Sequence, residues 1–267
     1  VKYSDRLIQA LFKGIYTGKI RPRALPASLY FAIADYLKKG IYEGYGTTLS
    51  SLKAPKMPAG FSTVDKLLLT ELRTNIYLFS AAKTYQQVRE MSNALIGEDG
   101  KIVSFKQFRE KADQTYSLYN KTWLQTEYDT ATGQAQAARK WTEIEKNADL
   151  FPLLEYSAVL DKRTSDICRP LDGIIAPVND PIWKKVAPLN HFNCRCLLLQ
   201  VSEGKQTSSK EKKSKVEETE KQMDDLFKMN PGQDKYIFSK KHPYFDVAPK
   251  DKELAKKNFN LKIPKND

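Results

Sequence analysis

Apolar residues recur at three- and four-residue spacing through most of the first 147 positions, the period of a helix with one buried face. Leu7, Ile8, Leu11, Phe12 and Ile15 form the first such face, behind Ser4 in capping position. The run Ile20–Pro26 (IRPRALP) breaks it, because each proline removes a backbone donor and disfavours helix in the residue before it. Ser28–Tyr45 predicts a second amphipathic helix, with Leu29, Ala32, Ile33, Tyr36, Leu37 and Tyr42 near one stripe, and Gly46–Gly60 predicts a loop. Ser62 with Asp65 approximates a capping box, and helical spacing then continues to Ile96, where Gly97 stands as terminator. That predicts about 33 residues, or about 50 Å of helix. Ser104 with Gln107 opens another helix, and 118–146 reads as one more, with Gly133 a weak point costing about 1 kcal/mol against Ala.

The period changes at Phe151–Pro152. Leu153–Asp161 alternates, Leu171–Asp172–Gly173 carries turn chemistry, Ile174–Ile175 follows, and Cys196–Val201 (CLLLQV) reads as a buried strand. Residues 202–221 hold six basic and five acidic side chains with almost nothing apolar, which predicts a solvated linker with nascent helix at its end. The expected fold class is α+β: a mostly helical N-terminal half with long helices, a small β-containing module clipped by Cys and His, and a short C-terminal tail. The expected divisions are 1–150, 151–201, 202–221 and 222–267.

Composition narrows the function classes. The 267 residues are 41% hydrophobic and 28% charged, which suits a buried core. No apolar run approaches the ~20 residues of a membrane span, and the opening VKYSDRLIQALFKGIY mixes charge with apolar residues, so a soluble, non-exported chain without a membrane partner is expected. The net charge is +12 and uneven: residues 1–60 carry ten basic and three acidic side chains, whereas 61–201 carry 18 and 17. The basic arm nominates Lys13, Lys19, Arg21, Arg23, Lys38 and Lys39 for contact with DNA or an acidic protein surface, against the plainer reading of a solvated face.

All three cysteines fall within one short stretch, Cys168, Cys194 and Cys196, with His191 among them. Three thiolates and an imidazole are a standard donor set for structural zinc, and Cys194 and Cys196 point the same way in an extended segment. Buried reduced thiols with His191 in a turn, or a disulfide from Cys168, are the alternatives. Such a zinc site would be structural, since four protein ligands leave no open position for water. Asp161 and Arg163 suit a paired turn better than catalysis, and His242-Pro243-Tyr244-Phe245 suits a docking patch. There is no glycine-rich phosphate loop, and two histidines support no Ser/His/Asp triad. The residues do not indicate an enzyme.

Taken together, Asp161, Arg163 and Thr164 (D-x-R-T), Cys168, Leu171-Asp172-Gly173 and His191-x-x-Cys194-Arg195-Cys196 resemble the C-terminal signature of the phage Mu F-like minor head proteins, the head morphogenesis family of tailed bacteriophages and prophages. Trp123–Tyr128, Trp141, Asn230-Pro231-Gly232 and His242-Pro243-Tyr244 are similar to one branch of that family. Members usually carry a second Cys or His near the first cysteine and Pro-Pro before H-x-x-C-R-C, where this chain has Ala187-Pro188-Leu189-Asn190. The resemblance implies a low-copy minor capsid component in the virion head near the portal, present in host cytoplasm during assembly. Its implied partners are the portal and other head proteins, with double-stranded DNA as a further contact during packaging or ejection. The competing readings are a zinc-stabilised nucleic-acid-binding protein and a nuclease or toxin.

Overall fold

The computed structural model describes residues 4–48 and 60–264. Most of the expected loop Gly46–Gly60 therefore lies outside the described residues. The helices come first: α1 Asp5–Tyr16, α2 Ala27–Gly44, α3 Thr63–Asn93, α4 Phe105–Ser117 and α5 Leu124–Lys146, the last two joined by a π-helical turn at Leu118–Trp123. Strands β1 Leu153–Ser157 and β2 Ile175–Pro177, the short α6 Trp183–Val186, β3 Leu197–Val201 and α7 Ser209–Gln222 follow. The fold is α+β, mostly helical with one small antiparallel sheet in the order β2-β1-β3. No described helix is long and apolar enough to cross a membrane.

Ser4 occupies the N-cap of α1, but its side chain makes no capping bond. Ser104 and Gln107 do form a complete capping box on α4. At α3, Ser62 N donates to Asp65 at 2.7 Å and Asp65 N to the Ser62 hydroxyl at 3.3 Å. That helix stops at Asn93, short of the expected Ile96: Ala94, Leu95 and Ile96 turn back to carbonyls three residues earlier, and Ile96 then bridges to Ile102. Gly97 sits in the resulting turn and does not terminate the helix. Gly133 has a packing reason, because a Cβ there would lie 2.6 Å from Leu189 Cδ1.

The chain divides into two compact units, 1–39 with 73–128 and 242–267, and 40–72 with 129–241. In the first, α1 packs on α4 through Phe12 against Tyr116 and Tyr16 against Phe105, and the Tyr16 hydroxyl donates to Val103 O at 3.0 Å. The tail is built into this core. Tyr244 is buried with its hydroxyl 2.9 Å from Glu127, and Lys83 lies 2.7 Å from both oxygens of that carboxylate. Burial pushes the Lys83 pKa down and the Glu127 pKa up, each opposed by the other's charge.

In the second unit the sheet packs one face into a core that includes Trp141, Ile144, Leu154, Tyr156, Trp183 and Val216. Leu154 lies opposite Ala176 and Gln200, and Tyr156 opposite Leu198, so alternate residues of β1 face the core. The strand expected to be buried at Cys196–Val201 is half-buried: Leu198 is inside, whereas Leu197 and Leu199 face outward. The charged run 202–221 holds α7 rather than only a linker. Ser208 caps it, Val216 and Thr219 are buried, and the Thr219 hydroxyl donates to Ile167 O at 3.0 Å. A helix so poor in apolar residues is held by this one-sided docking and by pairs such as Lys185–Glu220 at 3.1 Å.

Candidate metal centre

The residues around Cys168 are placed by a turn that depends on two acidic side chains. After β1 the chain reverses at Asp161, which takes both Arg195 Nη atoms in a fork at 2.9 and 2.7 Å and the Arg163 backbone N–H at 2.8 Å. The Arg195 fork, joined by the Arg163 N–H, holds the Asp161 carboxyl well below the usual carboxylate range. Thr164 closes the same turn, its hydroxyl accepting from Asp161 N and donating to Val159 O. Asp172 accepts the Ala158 N–H at 2.8 Å, and Gly173 follows at φ +70, a backbone region in which a side chain is strained. Through Gly173 N to Tyr156 O and Tyr156 N to Ile174 O, that turn sets the loop carrying Cys168 against β1. Arg195, between two cysteines, points out to Asp161 while its neighbours Cys194 and Cys196 point in.

Cys168, Cys194 and Cys196 are all buried and reduced. Cys168 Sγ lies 3.7 Å from Cys194 Sγ, and Cys196 is buried two residues beyond Cys194. No disulfide links Cys168 to Cys194 or Cys196 in this structure. The ligand atoms of Cys168, His191 and Cys194 lie within 4.8 Å of one another, a group that could hold a metal ion. A tetrahedral ion with bonds of ~2.3 Å to sulfur has S–S edges of about 3.8 Å, close to the thiol spacing present. His191 Nδ1 is 2.8 Å from Phe192 O. With the proton on Nδ1, that bond fixes the ring and leaves Nε2 its lone pair.

The electrostatics favour one thiolate. Hydrogen bonds from Cys168 and Cys196, aided by the Asn190 and Cys196 backbone N–H groups, push the Cys194 thiol down to about 3. Hydrogen bonding to Cys194 and then Cys196, with burial and the Cys194 charge adding to it, pushes the Cys168 thiol up. Two further residues close the inner side: the Tyr156 hydroxyl donates to Cys168 Sγ at 3.4 Å and accepts from Asn190 Nδ2 at 2.9 Å. Sequence reasoning missed both. Tyr156 showed only as one member of an alternating strand, and Asn190 carried no signal beyond adjacency to His191.

The basic-arm candidates do not share one environment. Lys13, Lys19, Arg21, Arg23 and Lys39 are exposed. Lys38 is instead buried, 2.7 Å from the Tyr77 hydroxyl and 2.9 Å from Asp35, because its place on α2 turns it toward the core stripe. His242 is occupied structurally: Nδ1 accepts the Tyr244 N–H and its ring meets Phe79 edge-on.

Comparison with known proteins agrees with the motif. Residues 87–199 match the family model described as Phage Mu protein F like protein. The chain carries a Mu F-like segment. It is 33% identical over 79 residues to the protein designated capsid assembly protein F of Escherichia phage Mu, covering 30% of this chain and 18% of that protein. It is 36% identical over 83 residues to the Mu-like prophage FluMu F protein of Haemophilus influenzae, covering 31% of this chain and 19% of that one. The match thus spans less than a fifth of the length of either relative. No solved structure gives a significant match.

Proposed function

We propose that this chain is a minor head protein of a tailed phage or prophage, acting in head morphogenesis at the portal vertex as a structural component rather than a catalyst. The observation that carries this reading is the Mu F-like segment at 87–199, whose D-x-R-T and H-x-x-C-R-C residues meet in the Asp161–Arg195 fork and the thiol cluster. A relative designated capsid assembly protein F supports the same setting. Outward-facing Leu160, Leu197 and Leu199 suit a protein that works by packing against other head proteins. Its place is the virion head, after a passage through host cytoplasm during assembly.

The metal reading belongs with it: Cys168, His191, Cys194 and Cys196 are the residues that would hold zinc. Zinc there supplies a cross-link between the turn after β1 and the start of β3, with no open position for substrate. Asp161 and Arg195 then act as an outer brace, keeping Cys194 and Cys196 turned inward.

Quantitative mass spectrometry of particles produced with this chain tests the role. A few copies per portal ring in empty and full heads is the expected result. A chain missing from particles and found only free in the lysate would overturn it.

A further inference from the structure

A recess in the first unit has no part in the thiol cluster or in the family motif. Helix α3 places Tyr85, Arg89, Ser92 and Asn93 on one face, at the spacing of successive turns. Arg21, Pro22 and Arg23 lie across that face, and Ala248, Lys250 and Asp251 of the tail complete a cleft of about 420 Å³. Four cations thus line it beside one carboxylate.

That carboxylate is already spent. Asp251 is 1% exposed, one oxygen accepting Arg23 Nε at 2.7 Å and the other the Tyr85 hydroxyl at 2.9 Å. Arg23 Nη2 also donates to Lys250 O at 2.9 Å, so its guanidinium is held in place. Arg21, Arg89 and Lys250 are exposed, and none enters a salt bridge among the described residues. The C-terminal end of α3 adds only about half a negative charge. The cations therefore dominate, and the walls of Tyr85, Pro22 and Ala248 concentrate their field.

We propose that this recess binds a phosphate group in the backbone of double-stranded DNA. Guanidinium forks match the tetrahedral oxyanion, and Lys250 supplies a point charge beside them. The choice of DNA rests on the head-protein reading, which puts the chain beside a packaged duplex. The phosphate chemistry rests on the recess alone.

The intact chain is titrated with a fluorescent DNA duplex across a salt series, with Arg89→Gln/Lys250→Gln as the test variant and Lys205→Gln/Lys210→Gln, two exposed lysines outside the recess, as the control. Both variants alter exposed side chains, and circular dichroism confirms their fold. The recess variant is expected to bind about tenfold more weakly at ~0.1 M salt, with a salt slope shallower by ~0.9 for each phosphate it no longer neutralises. The control should shift both less. Inorganic phosphate at millimolar concentration should raise the wild-type melting temperature and leave the recess variant unmoved. Failure of the wild type to bind the duplex, or unchanged affinity and slope in the recess variant, overturns the proposal. Stabilisation by inorganic phosphate without duplex binding overturns the DNA assignment. Particle composition is measured separately, so a chain present in heads that ignores DNA sinks this inference and leaves the head role standing.

Discussion

Replacing Lys83 by Met would leave the Glu127 carboxylate buried with no cation to answer its charge. Lys83 is fully buried, Glu127 is 8% exposed at its side chain, and the ammonium is 2.7 Å from both carboxylate oxygens. At an effective dielectric of ~20 that attraction is about 5 kcal/mol, most of it offset by the desolvation of two ions. Removing one partner loses the attraction and keeps the other ion's penalty, so Lys83→Met should destabilise by about 3–5 kcal/mol. Lys83→Met/Glu127→Leu removes both ions and should recover most of that loss. Tyr244→Phe deletes the hydroxyl that donates to Glu127 at 2.9 Å and should cost about 1–3 kcal/mol. Urea unfolding followed by circular dichroism measures all three. Burial already raises the Glu127 pKa, and without Lys83 it rises further. A raised carboxyl favours the folded state at low pH and loses that contribution as pH rises, so the Lys83→Met deficit should shrink on acidification. A single variant within 1 kcal/mol of wild type, or a double variant worse than the single, would refute the reasoning.

Cys194→Ser should abolish zinc uptake and strongly destabilise the second unit, and a chelator should do the same to wild type; metal content by mass spectrometry with a thermal melt checks both, and unchanged melting would remove the metal assignment. Gly173→Ala meets no atom within 4 Å, so its cost is purely the strained backbone, about 1 kcal/mol, and a neutral result in urea would contradict the turn's role. Burial acts to raise the Asp65 carboxyl, but bonds from Ser62 and the Tyr45 hydroxyl hold it below its ordinary value. Its contribution to stability is therefore present above the ordinary aspartate range and lost as pH falls through the lowered pKa, and Asp65→Asn should flatten that acid limb of the stability profile.

Local chemistry made several features legible in the chain itself. The helical period of the first 147 residues, the Ser104–Gln107 box and the strand at β1 depend on neighbours a few positions away, and the structure places them nearly where the pattern does. The thiol cluster was legible for another reason: three cysteines and a histidine crowd one stretch of an otherwise cysteine-free chain. Long-range packing decided what the pattern could not. Val216 and Thr219 make a polar run into α7 only because a core lies beneath them. Leu197 and Leu199 read as buried by type, yet the sheet has a single covered face, and period-two geometry turns them outward. Lys38 and Arg23 look alike on a basic arm, but one lies against Tyr77 and the other is held at a recess by Asp251, 228 positions away. Tyr156 and Asn190 join the thiols for the same reason: a strand and a loop 34 residues apart are brought together by tertiary contacts that no local spacing encodes.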